Sequence, residues 1–541
     1  MRSAVERGSQ AEPPAEMLEA AQLVHAGAQI LNQGDAGKAL EHWAEAERIF
    51  PACAATWKFL KELKIKAGLQ ISKEGIKKEA WEEVIATSTR VLETDASNLE
   101  ALDLRRYAWY RLGSLDHHLA DTKRSLAIAP DVEKHNGLLF KLNFLPETTP
   151  ESLFEEARNW DRLYAQPLAE SILPHTNSRV GNRRLKVGYV SPDLYHHPIM
   201  KFLPPVFELH DRVGFEIFVY DIGTKRDSFT EYVRQSVEHF VELPADKEAI
   251  ARRVRADSID ILIDLAGHSM AAEGLLAFAL KPAPVQATWL GCMATTGMAA
   301  MDYFIGDANM PCPGTDHLFS EKVLRLPRVQ SVYRPVGEHE VAAPPCLANG
   351  YLTFGCFNSK TKITRAMVQA WSVILHLHQG SKLLLKSWGL DNEGAQSELK
   401  AWFAEDAIGL DRILFEGHSL PSEYLGAWNK VDIALDPFPY NGGSTTLDAL
   451  WMGVPVVSLT GRLGVSCAGV SLMPPLGLPV ARTFEEYVSI AVLLGNKVVA
   501  APKSRAQLRQ AMQRSAVMDE AGLVRALEDG YREMWRGWCL G

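Results

Sequence analysis

The sequence contains no Cys-x-x-Cys pair. Its seven cysteines, at 53, 292, 312, 346, 356, 467 and 539, are odd in number and scattered. That argues against a zinc site or a disulfide framework and for a reducing cytoplasm. No apolar run reaches the roughly 18–20 residues that span a bilayer, so no membrane partner is expected. The opening "MRSAVERGSQAEPPAEM" lacks the apolar core of a signal peptide, and a flexible tail is expected over 1–16. An excess of basic charge is also missing: the net charge of −9 offers no sequence-independent grip on nucleic acid.

What is present is an ordinary globular composition, 47% hydrophobic and 23% charged, over 541 residues. That length is too great for one core and implies about three or four units. Before residue 180 the patterns are helical. In "AQLVHAGAQILNQGDAGKALEHWAEAERIFP", Gly27, Ala39, Ala46 and Pro51 lie 12, 7 and 5 apart, the tetratricopeptide spacing of small residues where two antiparallel helices touch. The helix-ending "TDAS" (94–97) and "IAPD" (128–131) lie one repeat of 34 residues apart. Two or three degenerate repeats are expected over 17–135, the middle one distorted by some 11 extra residues, with a plain helical bundle as the alternative. A helical connector follows over 136–180, opening at "TTPESLFEEARNWDRLY".

From "LKVGYVS" the texture becomes short apolar runs alternating with helical stretches. Strand candidates are 185–190, 215–221, 259–265, 285–290 and 302–306, then 351–357, 382–387, 412–416, 431–435 and 454–459. Alternation of this kind implies parallel sheets under right-handed crossovers. A break near "GEHEVAAPPCLANG" (337–350) divides the run into two doubly wound domains of about five strands each, 181–340 and 341–500, ahead of C-terminal helices over 501–541. Ligands in such sheets sit at the carboxyl ends of the strands.

Polar residues cluster at those ends. "YVSPDLYHHP" carries His196 and His197, "IDILIDLAGHS" ends in Asp264 and His268, "TFGCFNSKTKIT" brings Asn358, Lys360 and Lys362, and "RILFEGHSLPSEY" offers His418, Ser422 and Tyr424. In "LDPFPYNGGSTTLDALWMGVPVVSL" (435–459) a strand gives way to Gly442-Gly443-Ser444-Thr445-Thr446 and then to a helix. The first amides of a helix lack internal partners and carry positive potential, and small residues let a ligand approach them, so the junction is a candidate phosphate seat. The alternative is an ordinary capped helix, since Ser and Thr are favoured caps. A diphosphate leaving group needs such donors plus a cation, for which Lys362 stands across from Thr445 and Thr446, with Asp448 placed to accept from ribose hydroxyls. There is no Asp-x-Asp motif of the kind that chelates a divalent metal in many sugar transferases, so no metal or other cofactor is expected.

The blocks "GYVSPDLYHHP", "IDILIDLAGH", "KPAPVQATWLG…TTG…DYFIGD", "SEKVLRLP", "TFGCFNSKTKIT" and "YNGGSTTLDALWMGVPVVSL…GVSL", in that order over about 140–500, resemble the catalytic region of the bacterial O-GlcNAc transferase/SPINDLY-like glycosyltransferases (family 41). The resemblance implies a tetratricopeptide-like α-solenoid followed by a GT-B region of two Rossmann-like domains, hence an α plus α/β fold. It implies inverting, metal-independent transfer from a nucleotide sugar to Ser or Thr of a protein. By position, it implies acceptor-side catalysis by His197 and a leaving-diphosphate contact from Lys362. It further implies a donor site of Asn358, Tyr424, Ser444, Thr445, Thr446 and Asp448, and a pocket lined by Asp264, His268, Thr295 and Thr296. The chain departs from the pattern at Ser444, where His is common in animal members, at Cys292-Met293 in "WLGCMATTG", and at Cys467, where Arg is common.

The expected donor is UDP-GlcNAc, with the acceptor protein presented by the repeat groove. Alternatives are GDP-fucose, or a nucleotide-activated nonulosonic acid transferred to flagellin. A tetratricopeptide scaffold carrying an inactive transferase domain is the alternative of different class.

Overall fold

The computed structural model describes residues 14–51, 58–269, 271–337, 339–500 and 504–541. All but the last three residues of the expected tail therefore lie outside the described residues. The chain divides into two compact units, ending and beginning at Asp131 and Val132.

The first unit is helical: α1 (Ala15–Asn32), α2 (Ala36–Ile49), α3 (Lys58–Lys77), α4 (Trp81–Thr94), α5 (Leu99–Leu112) and α6 (Leu115–Ile128). Successive helices pair as three hairpins, α1 with α2, α3 with α4 and α5 with α6. Gly27 sits where the Trp43 ring crosses α1, so close that a methyl group there would lie 2.9 Å from Cδ1. The Trp43 Nε1–H donates to the Val24 carbonyl at 3.2 Å. Ala39 and Ala46 are fully buried in the same contact. The second hairpin makes its close approach with glycines outside the expected spacing, Gly68 against Val91 and Gly75 against Val84. The surplus length of this repeat is taken up partly by α3, which runs 20 residues against 14 for α2.

The second unit carries two parallel sheets. The first orders its strands β3-β2-β1-β4-β5-β6-β7 and the second β10-β9-β8-β11-β12. These are β1 (Leu185–Ser191), β2 (Phe215–Asp221), β3 (His239–Glu242), β4 (Ile261–Asp264), β5 (Val285–Trp289), β6 (Tyr303–Gly306) and β7 (Lys322–Arg325), then β8 (Thr353–Cys356), β9 (Lys382–Lys386), β10 (Ile413–Glu416), β11 (Ile433–Leu435) and β12 (Val456–Val457). The expectation of about five strands per half is corrected in the first, which has seven. The additions, β3 and β7, are four-residue edge strands with a single buried residue each, too short to show a periodicity. Each sheet changes winding direction between its central strands, β1/β4 and β8/β11, and these switch points are where doubly wound sheets bind ligands. The last helix, Glu520–Leu540, returns to the first half, where Leu523, Leu527, Tyr531 and Trp535 join its core. The Tyr531 hydroxyl lies 2.9 Å from that of Tyr189 on β1.

Cys312 and Cys467 form a disulfide between the two halves, a correction to the reading of the cysteine count. Pairing depends on approach in space, and residues 155 apart in sequence come to a Cα separation of 6.1 Å. Closing so long a loop contributes roughly 2–5 kcal/mol. Cys312→Ser is therefore expected to melt several degrees below the parent without reductant, and at the parent's temperature when both are reduced with dithiothreitol. Scanning calorimetry of the two proteins checks this.

Candidate active site

The carboxyl ends of both switch points open on one cavity of about 320 Å³, a size usual for a small-ligand site. Asp193, His197, Ser269, Met293 and Asp307 of the first half line it, as do Lys362, Tyr440, Gly442, Gly443 and Ser444 of the second.

The second-half wall is built from β8 and β11. Past β11 the chain turns through Asp436, which is buried and accepts the Gly442 amide (2.8 Å) and the hydroxyls of Thr446 (3.0 Å) and Ser458 (2.9 Å). Burial pushes its carboxyl up to about 6, against those bonds and the charge of Lys362. Asn441 fixes the loop by donating its side-chain amide to the carbonyls of Pro437 and Leu459. The helix Ser444–Trp451 then begins at Gly443 with no side-chain cap. Its first bond runs from the Leu447 amide to the Gly443 carbonyl at 3.1 Å. The amides of Ser444, Thr445 and Thr446 donate to nothing among the described residues.

Lys362 reaches this tip from the 3₁₀ turn Lys360–Lys362 after β8. Its ammonium donates to the Asn441 carbonyl at 2.9 Å and lies 4.0 Å from the centroid of the Tyr440 ring. Burial pushes its pKa down to about 8, and the neighbouring Asp436 opposes the fall. An ammonium and a set of unused amides therefore share one wall, an arrangement that attracts an anion.

The first-half wall carries the turn after β1. His197 caps the 3₁₀ turn Pro198–Lys201, its Nδ1 accepting the Ile199 amide at 3.4 Å. That bond favours the neutral tautomer with the proton on Nε2. Burial lowers the pKa of His197 and raises that of Asp193, each opposed by the charge of the other. The Asp193 carboxylate accepts no hydrogen bond among the described residues, so this wall offers a proton acceptor beside an imidazole.

The expected site residues divide. Lys362, His197 and Ser444 line the cavity, and Asn358 lies behind Lys362, accepting the Thr445 hydroxyl at 3.0 Å. The threonine hydroxyls do not face the ligand space, because each helix residue turns about 100° from the last. Thr446 thus points its hydroxyl at Asp436, and only the backbone amides of the pair stay open. Asp448 is not open to a ribose here. It is 1% exposed, with Lys201 bound to both oxygens and the Tyr333 hydroxyl to one. Tyr424 sits beside that cluster, with the Lys201 ammonium 5.4 Å from its ring centroid, and does not line the cavity.

Asp264, His268, Thr295 and Thr296 do not line the cavity either. Asp264 accepts the amides of Ala266 and Gly267 and the Thr288 hydroxyl. His268 is bonded to Asn136 and the Thr296 carbonyl against the Trp160 ring, where burial pushes its pKa down to about 4. Thr295 and Thr296 donate to the buried Glu321. These four hold up the loops whose neighbours, Leu265, Ser269, Leu290 and Met293, do front the cavity. His196 and His418 are exposed outside it. The residues that sequence reasoning passed over, Asp193, Asp436, Tyr440 and Lys201, follow strand ends at the two switch points, the one signal that marked them.

The family model described as Glycosyl transferase family 41 matches residues 166–344 and 343–527. The probable UDP-N-acetylglucosamine–peptide N-acetylglucosaminyltransferase SPINDLY of Solanum lycopersicum is 34% identical over 426 residues, covering 77% of this chain and 46% of that protein. The UDP-N-acetylglucosamine–peptide N-acetylglucosaminyltransferase of Caenorhabditis elegans is 24% identical over 535 residues, covering 76% and 46%. The chain thus spans just under half the length of these curated relatives. A solved structure of a mutant O-GlcNAc transferase from Thermobaculum terrenum superposes with a TM-score of 0.77 at 30% identity, over 98% of this chain and 99% of that one. A helical repeat region followed by two Rossmann-like halves is the GT-B architecture expected from the sequence. With a family model matched over most of its length and relatives a third identical over three quarters of it, the chain belongs to glycosyl transferase family 41.

Proposed function

We propose that this protein transfers a sugar, GlcNAc from UDP-GlcNAc in the first instance, to Ser or Thr of an acceptor protein. The observation that carries the reading is the two-walled cavity. The start of the helix Ser444–Trp451, whose first three amides are unpaired and whose Ser444 borders the cavity, stands with the Lys362 ammonium on one side, and Asp193 with His197 on the other. In the step this supports, the acceptor hydroxyl oxygen bonds to the anomeric carbon as the bond from that carbon to the diphosphate oxygen breaks. The hydroxyl proton passes to the Asp193/His197 pair, and the departing diphosphate keeps the electron pair. Its growing negative charge meets Lys362 and the helix amides, which strengthens their grip as the transition state forms. Attack from the wall opposite the leaving group inverts the anomeric centre. The activities named for the relatives support UDP-GlcNAc as donor and a peptide as acceptor. The first unit, a run of helical hairpins, is the element we assign to presenting the acceptor, with flagellin as one candidate.

Differential scanning fluorimetry against UDP, GDP and CMP tests the donor. At a hundredfold excess over its dissociation constant, UDP adds about 2.7 kcal/mol to the folded state and is expected to raise the melting temperature by several degrees, with GDP and CMP near zero. Stabilisation by GDP alone moves the donor to GDP-fucose, and by CMP alone to an activated nonulosonic acid. Intact-mass analysis of a co-expressed acceptor then reads the sugar. No mass increment with any of the three donors sinks the transferase reading.

A further inference from the structure

The turn that carries His197 and the helix that faces the diphosphate are joined by one ion pair. Lys201 ends that turn, four residues after His197. Its ammonium donates to both oxygens of Asp448, at 2.7 and 2.6 Å. Asp448 lies one turn inside the helix Ser444–Trp451, with its side chain 1% exposed against 18% for Lys201. The segment joining the two halves closes the knot. The Tyr333 hydroxyl donates to Asp448 Oδ1 at 2.7 Å, and the neighbouring Arg334 amide donates to the Lys201 carbonyl, also at 2.7 Å. Neither Lys201 nor Asp448 lines the cavity.

The pair ties an acceptor-side turn to a donor-side helix, so it sets the distance between the proton-accepting wall and the leaving group. We propose that Lys201 is a positioning residue for transfer, acting through Asp448 to hold the His197 turn in register with the diphosphate-facing helix tip. The proposal rests on the transferase reading above.

The test compares parent, Lys201→Met, Lys201→Arg and the double variant Lys201→Met/Asp448→Asn. The double variant removes both charges and serves where a lone buried carboxylate prevents folding. Transfer kinetics give kcat and KM, and calorimetry gives the dissociation constant of UDP. Lys201→Met is expected to lower kcat by about 10–100-fold, because a misplacement of about an ångström costs on that order, with UDP affinity within threefold of the parent. Lys201→Arg, which keeps the charge, should recover part of kcat. The double variant should lose no more than the single one, because the two side chains act as a unit. Parent-like kcat in Lys201→Met overturns the proposal. So does a fall in UDP affinity that matches the whole loss of activity, which would make Lys201 a ligand contact. A parent protein that transfers no sugar overturns the transferase reading itself and takes this inference with it.

Discussion

Lys362→Met is expected to lower kcat by roughly two to three orders of magnitude, the loss seen when one preorganised donor is removed from a developing oxyanion. UDP affinity should weaken by less than tenfold. On the proposed transferase reading, the helix amides already hold the ground-state diphosphate, and this gives the difference. The ammonium counts most as the glycosidic bond breaks and charge moves to the leaving oxygen. On the same reading, the burial of Lys362 sets an expected alkaline limit to transfer. Its pKa is depressed to about 8, so in the free enzyme the active, protonated form is fully present at lower pH and is lost as pH rises through about 8. A profile of kcat/KM should fall there, while the profile of kcat should fall at higher pH, because bound diphosphate stabilises the ammonium. The acid limb belongs to the Asp193/His197 pair, which must give up its proton to work. In Lys362→Arg the guanidinium stays charged, and the alkaline limb should vanish from whatever activity is left. Far-UV melting curves separate these effects from misfolding. Parent-like turnover in Lys362→Met would exclude the leaving-group role.

Much of this site was legible because doubly wound sheets present their chemistry at the carboxyl ends of strands, and strands can be read from apolar runs. Lys362, His197 and Ser444 were reached that way. Asp264, His268, Thr295 and Thr296 lie at equivalent positions but face the protein. A polar residue after a strand has two uses, facing a ligand or satisfying the amides of its own loop, and one sequence cannot separate them. The pairing of Asp448 with Lys201 was illegible for another reason. The partners are 247 residues apart and meet only because the two halves close on each other. The same holds for Cys312 with Cys467, and for the return of the last helix to the first sheet. In the repeats, the spacing of Gly27, Ala39 and Ala46 identified the first hairpin, whereas Gly68 and Gly75 serve the second from positions that the repeat pattern does not name. Packing requires a small residue at each crossing, but the crossing point shifts with helix length.

The two glycines ahead of the helix tip should fail in different ways, and the contrast decides why they are there. Gly442 is buried in the loop itself. A methyl group on it would stand 2.6 Å from the Thr445 hydroxyl, 2.7 Å from Asp436 Oδ1 and closer still to the Thr446 hydroxyl. Its own amide is held by Asp436. Gly442→Ala must therefore push the loop off Asp436, with an overpacking penalty of about 1–3 kcal/mol. It should lower the melting temperature and, by displacing the amides of Ser444 and Thr445, cut transfer by about a hundredfold. A methyl group on Gly443 would meet nothing within 4 Å, and Gly443 borders the cavity. Gly443→Ala should fold and melt like the parent yet bind UDP at least tenfold more weakly, because the methyl occupies space through which a phosphate must approach the free amides. Calorimetric UDP titrations and melting curves of both variants check the pair. Parent-like UDP affinity in Gly443→Ala would return the Gly-Gly-Ser-Thr-Thr junction to an ordinary helix start. Loss of affinity at unchanged stability can come only from a ligand that needs that empty space.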